Sequence, residues 1–266
     1  MPETDLTIPG EAAAVTAAGS GIGRQIARQL ADAGVDVAVN DVDGDALADA
    51  EAALADCAGD VHTVQGDASD PEDMESFVEA AVDAFGGLDI LVNNVGVAGP
   101  TKPCEDISSE EFLKTLEINL GGQFNATRAA IPYLTADDRA DGRVVNVASM
   151  SGKRPLRNRT PYTTAKMGVV GFTRTLAVEL ADRGVTVNAV CPGSVSGPRL
   201  DAVIEGQARD REASVEAVEA EFRSVSPMDE FVEAGDVADT VLFLCSDRAD
   251  RTTGQDVNVT AGVTMY

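Results

Sequence analysis

The apolar positions of this chain fall into two alternating patterns. Short runs rich in Val, Ala, Ile and Leu occupy 12–17, 35–40, 61–66, 88–94, 143–149, 185–191 and 255–260. Several, such as LDILVNN at 88–94, are apolar at consecutive positions, as in strands covered on both faces of a sheet. Between them lie amphipathic stretches with helical spacing, near 22–33, 44–56, 71–85, 109–135, 161–182 and 235–246. Strands alternating with helices of this length predict right-handed crossovers and an α/β fold built on a doubly wound parallel sheet of about seven strands. No linker, repeat or low-complexity segment interrupts the alternation, so residues 1–266 read as one domain. The segment 197–230 stands outside the pattern. It is long and charged and lies between a strand and the last helix, which puts it at the carboxyl edge of the sheet as a variable substrate-binding segment.

Composition narrows the setting. Hydrophobic residues make up 44% of the chain but aromatics only 4%, and Trp is absent, so the core must be built from Val, Ala, Leu and Ile. No run reaches the length of a membrane helix, and the opening residues lack the charged-then-apolar pattern of a secretion signal. Cys57, Cys104, Cys191 and Cys245 are scattered without a CxxC pair, which reads as reduced thiols rather than disulfides or a zinc site. The expectation is a cytoplasmic protein with no metal and no membrane partner. Asp and Glu total 45 against 20 Lys and Arg, for a net charge of −25, and only four of the basic residues are lysines. Such a surface repels nucleic acid and anionic membranes. The acid is spread over helical faces such as DREASVEAVEAEF, as in halophilic proteins of salt-accumulating cells, where ionic screening removes the self-repulsion.

Candidate chemistry begins in VTAAGSGIGRQIARQLADAG at 15–34, which follows the first strand and opens a helix. Gly19, Gly21 and Gly23 permit a tight turn and close backbone approach to a pyrophosphate, which the helix N-terminus then attracts. Asp41 ends the second strand about twenty residues on, where a carboxylate binds adenosine ribose hydroxyls; it also qualifies as a helix N-cap. No Lys or Arg lies inside the glycine turn or directly after the second strand, so a 2′-phosphate would be repelled, and NAD is expected over NADP.

In PYTTAK at 161–166, Tyr162 and Lys166 are four residues apart on a helical stretch and so share a face. These features together resemble the short-chain dehydrogenase/reductase family, over nearly the whole chain. TAAGSGIG is similar to that family's TGxxxGxG loop, with Thr16, Gly21, Ile22 and Gly23 in register. Ala17 stands where the first glycine usually falls, and is expected to keep a negative φ. GDASD places Asp67 and Ala68 where the family contacts adenine, and NNVG at 93–96 resembles its NNAG motif, bringing Asn93, Val95 and Gly96 near the adenosine ribose and pyrophosphate. CPGSVS at 191–196 resembles PGxVxT, with Pro192, Gly193, Val195 and Ser196 beside the nicotinamide. Asn119, Ser149, Tyr162 and Lys166 match the catalytic tetrad.

The resemblance implies a Rossmann-like fold and hydride transfer between a secondary alcohol and a nicotinamide. A free phenol, with a pKa near 10, is too weak a base at neutral pH, and an ammonium one helical turn away favours the phenolate. Ser149 would hold the substrate oxygen in line with Tyr162. By resemblance Lys166 also bonds the nicotinamide ribose, and Asn119 holds a water that links Lys166 to solvent. The substrate is read as a polyol, sugar or hydroxy acid. SGKRPLRNRTPY at 151–162 carries Lys153, Arg154, Arg157 and Arg159 beside the expected substrate mouth. Arg157 and Arg159, with Arg199 beyond them, are candidates to receive an anionic group; they can equally pair with acidic neighbours or a second subunit. A 3-oxoacyl thioester reductase using NADPH and a non-catalytic dinucleotide-binding protein are the alternatives. The resemblance further implies a homodimer or homotetramer pairing the helices at 109–135 and 161–182.

Overall fold

A computed structural model describes residues 6–136 and 141–266. Seven parallel strands form one sheet in the order β3-β2-β1-β4-β5-β6-β7. They are β1 (Ala12–Val15), β2 (Asp36–Asp41), β3 (Val61–Gln65), β4 (Ile90–Asn93), β5 (Arg143–Val147), β6 (Thr186–Pro192) and β7 (Asp256–Val259). The helices are α1 (Gly21–Asp32), α2 (Gly44–Leu54), α3 (Pro71–Phe85), α4 (Ser109–Leu116), α5 (Gly122–Leu134), α6 (Thr160–Leu180), α7 (Pro198–Asp210), α8 (Val215–Ser224) and α9 (Ala234–Cys245).

The two-residue period of the strands sorts their side chains into two cores. Val15, Val37, Val39, Ile90, Val92 and Val145 pack against Ile26 and Leu30 of α1, Leu47 of α2 and Val241 of α9. Ala14, Ala38, Leu91, Val144 and Val187 face the other way, onto Phe77 of α3, Ala126 of α5 and Leu176 of α6. Both faces are therefore dry, which accounts for the consecutive apolar residues. A fully buried side chain of this size contributes about 1.5–3 kcal/mol.

Two elements differ from the sequence expectation. The single helix expected over 109–135 is broken by a π turn at Glu117–Gly121. Asn119 marks the break, because its Nδ2 donates to the Thr115 carbonyl at 2.9 Å and so enters the helical ladder. The segment 197–230, which stands outside the strand–helix alternation except for the helical face at 210–222, forms two helices, α7 and α8. Leu200, Ile204 and Ala208 fall four residues apart on α7 and meet Val218 and Phe222 of α8 in a small core of their own.

Candidate active site

The strand order reverses between β1 and β4, and side chains tie the two strand ends together. Thr16 Oγ1 accepts from the Asn94 amide at 3.0 Å, and Asn94 Nδ2 donates to the Ala17 carbonyl at 2.8 Å. A Cβ on Gly23 would come within 2.5 Å of both the Ala17 carbonyl and Asn94 Nδ2, so only glycine fits there. The expectation of a negative φ at Ala17 is wrong: φ is +49°. That left-handed conformation costs about 1–2 kcal/mol for a residue with a Cβ. The bond from Asn94, and one from the Ala18 amide to the Asn40 carbonyl at 2.8 Å, hold the chain in it.

The start of α1 is open. Its N-cap, Ser20, makes no side-chain cap bond, and no acidic residue lies in the first turn. The first turns of α5 and α6 also lack an acid, but α5 continues directly from the π turn, whose carbonyls take up its amides. By contrast α2, α3, α4, α7, α8 and α9 each carry Asp or Glu there. In so acidic a chain, free amides and positive dipole are left uncompensated at the starts of α1 and α6. Asp41 ends β2, where its Oδ2 accepts from the Gly19 amide at 3.0 Å and its Oδ1 from the Asp43 amide at 3.1 Å. Asp43, rather than Asp41, caps α2. Open α1 amides, a turn too tight for a Cβ and a carboxylate against that turn suit a dinucleotide.

A cavity of about 250 Å³ opens beyond the carboxyl ends of β4, β5 and β6. Ile22, Gly96, Pro192, Gly193 and Val195 line one part of it, and Ser149, Arg159, Tyr162, Lys166 and Arg199 the other. Ser149 Oγ accepts from the Ser151 amide at 3.1 Å and lies near enough to the Tyr162 phenol to favour its ionised form. Lys166 is buried, with Nζ donating to the Val147 carbonyl at 2.9 Å and standing 6.0 Å from the Tyr162 ring centroid. The Arg159 guanidinium stacks over the same ring at 4.6 Å and donates to Thr101 Oγ1 at 2.9 Å.

The electrostatics follow from this packing. Burial opposes ionisation of the Tyr162 phenol, but Lys166, Ser149, Arg199 and Arg159 together outweigh it and bring its pKa below 10.0. Burial likewise lowers the Lys166 pKa, against the pull of Tyr162, with Arg199 adding to the lowering. Burial holds the Arg159 pKa below its ordinary value too.

Asn119 is held by the π turn just behind Lys166. Its Nδ2 donates to the Val97 and Thr115 carbonyls, while its buried Oδ1 accepts no bond from the described residues.

Several sequence candidates fall elsewhere. Asn93 is buried, with Nδ2 donating to Thr127 Oγ1 and Asn146 Oδ1, both at 2.8 Å, so it binds α5 to the sheet and does not reach the cavity. Strand alternation turns its neighbour Asn94 to the other side, and Asn94 lines the cavity instead. Val95 packs in the core and Ala68 is buried beside it. The Ser196 hydroxyl donates to Glu233 Oε1 at 2.8 Å rather than facing the cavity. Asp67 is exposed and accepts from the Ser69 amide and hydroxyl, which hold its carboxyl below the usual range. Arg157 is exposed away from the cavity, and Lys153 pairs with Asp256 at 3.0 Å. Met150, Ser194 and Leu200 line the cavity although no motif in the sequence points to them. A second cavity of about 350 Å³ shares Met150 and Ser194 with the first and is walled by Leu156, Phe222, Val225 and Phe231.

What this cleft can do is move a proton at an alcohol oxygen next to a seat for a dinucleotide. That capacity defines the class as nicotinamide-dependent oxidoreductases of CH–OH groups. Residues 16–264 match the family model described as "Enoyl-(Acyl carrier protein) reductase", and the chain belongs to the short-chain dehydrogenase/reductase family. It is 38% identical over 197 residues to a Monensin polyketide synthase putative ketoacyl reductase of Streptomyces virginiae, covering 74% of this chain and 75% of the relative. It is 35% identical over 219 residues to a D-beta-hydroxybutyrate dehydrogenase of Rhizobium meliloti, covering 82% and 83%. Two solved structures superpose with a TM-score of 0.90. One is a variant actinorhodin polyketide ketoreductase with NADPH, 35% identical, covering 98% of this chain and 100% of that one. The other is an NAD+-bound xylitol dehydrogenase, 29% identical, covering 96% and 99%.

Proposed function

We propose that this protein is an NAD-dependent dehydrogenase of secondary alcohols, with Tyr162 as the general acid/base. The observation that carries the reading is the Tyr162 phenol, which shares one cavity with Ser149 and the Lys166 ammonium. Bound nicotinamide supplies the hydride acceptor. Ser149 positions the substrate hydroxyl, and Tyr162 as phenolate takes its proton. Lys166 stabilises that phenolate and, through a water between its Nζ and Asn119 Oδ1, passes the proton towards solvent. Gly19, Gly21, Ile22 and Gly23 receive the pyrophosphate, Asp41 the adenosine ribose, Asp67 and Ala68 the adenine, and Pro192, Gly193 and Val195 the nicotinamide.

NAD is preferred over NADP because the Asp41 carboxylate stands against the Gly19 amide, with no cation inside the glycine turn or directly after β2. The test is steady-state oxidation of polyols, sugars and hydroxy acids with each cofactor, for wild type and Tyr162→Phe. Turnover with NAD that survives the Tyr162→Phe change would sink the assignment of the phenol.

A second reading, a 3-oxoacyl thioester reductase using NADPH, draws on the second, apolar-walled cavity. The names of the polyketide-synthase relative and of the NADPH-bound structure also favour it. Reduction of acetoacetyl thioesters with NADPH at a greater kcat/KM than any NAD reaction would establish it. A non-catalytic dinucleotide-binding role has no observation in its favour, since no tetrad residue is missing.

We further propose a homo-oligomer, a homodimer or homotetramer, that pairs α4, α5 and α6. Leu113, Phe124 and Met167 on these helices are exposed, and an open apolar groove runs between them through Leu116, Leu120 and Phe172. The free state of all four cysteines and the charge of −25 support a reducing, high-salt cytoplasm. Among the described residues no helix is long and apolar enough to cross a membrane, and no group of His, Cys, Asp or Glu is fit to hold a metal.

A further inference from the structure

The walls of the active-site cavity carry an electrostatic anomaly. Asp and Glu supply 45 of the 266 residues, yet among the described residues no Asp or Glu lines the cavity, and two arginines do. The other cations of the basic segment are otherwise engaged or turned away. Lys153 pairs with Asp256, Arg154 lies in the second cavity with Glu221 and Glu230, and Arg157 is exposed outside both. Among the described residues neither Arg159 nor Arg199 has a carboxylate within 4.0 Å. Arg159 is half-buried, fixed over the Tyr162 ring at 4.6 Å and tied to Thr101 at 2.9 Å. Arg199 is exposed at the rim, on the first turn of α7. The two cations are close enough to repel one another, which costs stability unless something negative joins them. The start of α7 has no side-chain cap, but Asp201 in its first turn offsets the helix dipole, so the positive charge at this place is that of the two guanidiniums.

We propose that Arg159 and Arg199 form a two-guanidinium subsite that receives a carboxylate of the substrate, so that the alcohol oxidised is a small hydroxy acid. This rests on the assignment of Tyr162 and Ser149 as the groups that handle the hydroxyl. Both guanidiniums present the forked donors that match a carboxylate. The subsite lies next to Tyr162, so hydroxyl and carboxylate must be separated by only a few bonds. The cavity is about 250 Å³ in all, and the share left beside the walls given to the nicotinamide suits only a small acid. The arrangement also answers a problem of charge. An anionic substrate approaching a chain of net charge −25 is repelled at long range, and a local, uncompensated positive pair reverses the sign at the mouth.

The test has two arms. Kinetics with saturating NAD compare 3-hydroxybutanoate and lactate with the uncharged alcohols 2-butanol and xylitol, for wild type, Arg159→Ala and Arg199→Ala. A lost charge-assisted bond corresponds to roughly a 10- to 100-fold effect. The kcat/KM of the acids should therefore fall by at least about tenfold more than that of the neutral alcohols, with the KM for NAD unchanged. Calorimetric titration with butanoate, a carboxylate with no hydroxyl, should give binding in wild type that either substitution abolishes. Wild type that oxidises only neutral alcohols, equal losses for both classes, a raised KM for NAD, or no butanoate heat would each overturn the subsite. Butanoate binding without turnover of any alcohol would leave the subsite standing and remove the dehydrogenase reading instead.

Discussion

Asn119 Oδ1 and Lys166 Nζ converge on one point. They lie 2.8 and 3.1 Å from the position that a Cβ on Gly96 would occupy. The π turn that carries Asn119, the helix that carries Lys166 and the loop after β4 therefore meet too closely for a methyl group on Gly96. A Gly96→Ala protein should fold, with kcat reduced about 100-fold, the low end of what proton-transfer groups contribute. Circular dichroism and kcat decide the matter together, and near-normal kcat in a folded variant would disprove the relay.

Ala17 holds φ at +49°. Replacing it by Gly removes about 1–2 kcal/mol of backbone strain and gives back about 0.4–1 kcal/mol through a more flexible unfolded chain. The net expectation for Ala17→Gly is a gain of about 0.5 kcal/mol, which raises Tm by ~1–2 °C for a domain of this size. A calorimetric Tm that falls instead would show that the Ala17 methyl contributes more in packing than its backbone loses.

The pH profile carries a definite sign. Cations around Tyr162 favour its phenolate and set its pKa below 10.0 despite burial. Alcohol oxidation should rise as pH passes through that lowered value, and ketone reduction should fall over the same range. Arg199→Ala removes one of these cations, so the midpoint for oxidation of an uncharged alcohol should move upward. A midpoint that stayed put, or moved down, would refute the electrostatic account. Tyr162→Phe should lower kcat by about 10²–10⁴-fold.

Asp41 is the residue proposed to discriminate between cofactors. Asp41→Asn keeps an oxygen to accept from the Gly19 amide, now bonded at 3.0 Å, but removes the charge. The ratio of kcat/KM for NADP to that for NAD should rise at least about tenfold, the effect of a charge pair near a protein surface. An unchanged ratio would transfer the discrimination to another residue.

Salt should stabilise the fold. A net charge of −25 repels itself through solvent, and the screening length shrinks from about 10 Å at 0.1 M to about 3 Å at 1 M. A gain of ~2 kcal/mol, or ~5 °C in Tm, is expected between these concentrations. Insensitivity to salt would contradict the halophile reading of the charge.

The centre of the sheet was legible because strands buried on both faces, such as β1 and β4, announce themselves as apolar runs, whereas the edge strands β3 and β7 are only partly buried and interrupted by polar residues. Ser149, Tyr162 and Lys166 were legible through the family resemblance together with the four-residue helix spacing, and the structure brings them into one cavity. What was missed has physical causes. Asn93 and Asn94 are chemically identical in sequence, and only the alternation of β4 tells which one enters the core; counting parity from Leu91 and Val92 would have found Asn94. The i, i+4 series Leu200, Ile204, Ala208 was present but masked by the charge around it. Ala17 was judged by its side chain alone, whereas the bond from Asn94 comes from a residue 77 positions away. Nothing local in 109–135 marked the π turn except the awkward placement of Asn119 itself.

The acid-free openings of α1 and α6 limit how this chain can drift. Carboxylates can accumulate over most of its exterior with little penalty in brine. The same substitution at Ile22 or Thr163 would set a fixed negative charge against the diphosphate or the phenolate. Lineages adapting to more or less salt should therefore exchange residues freely elsewhere and leave these two short turns neutral.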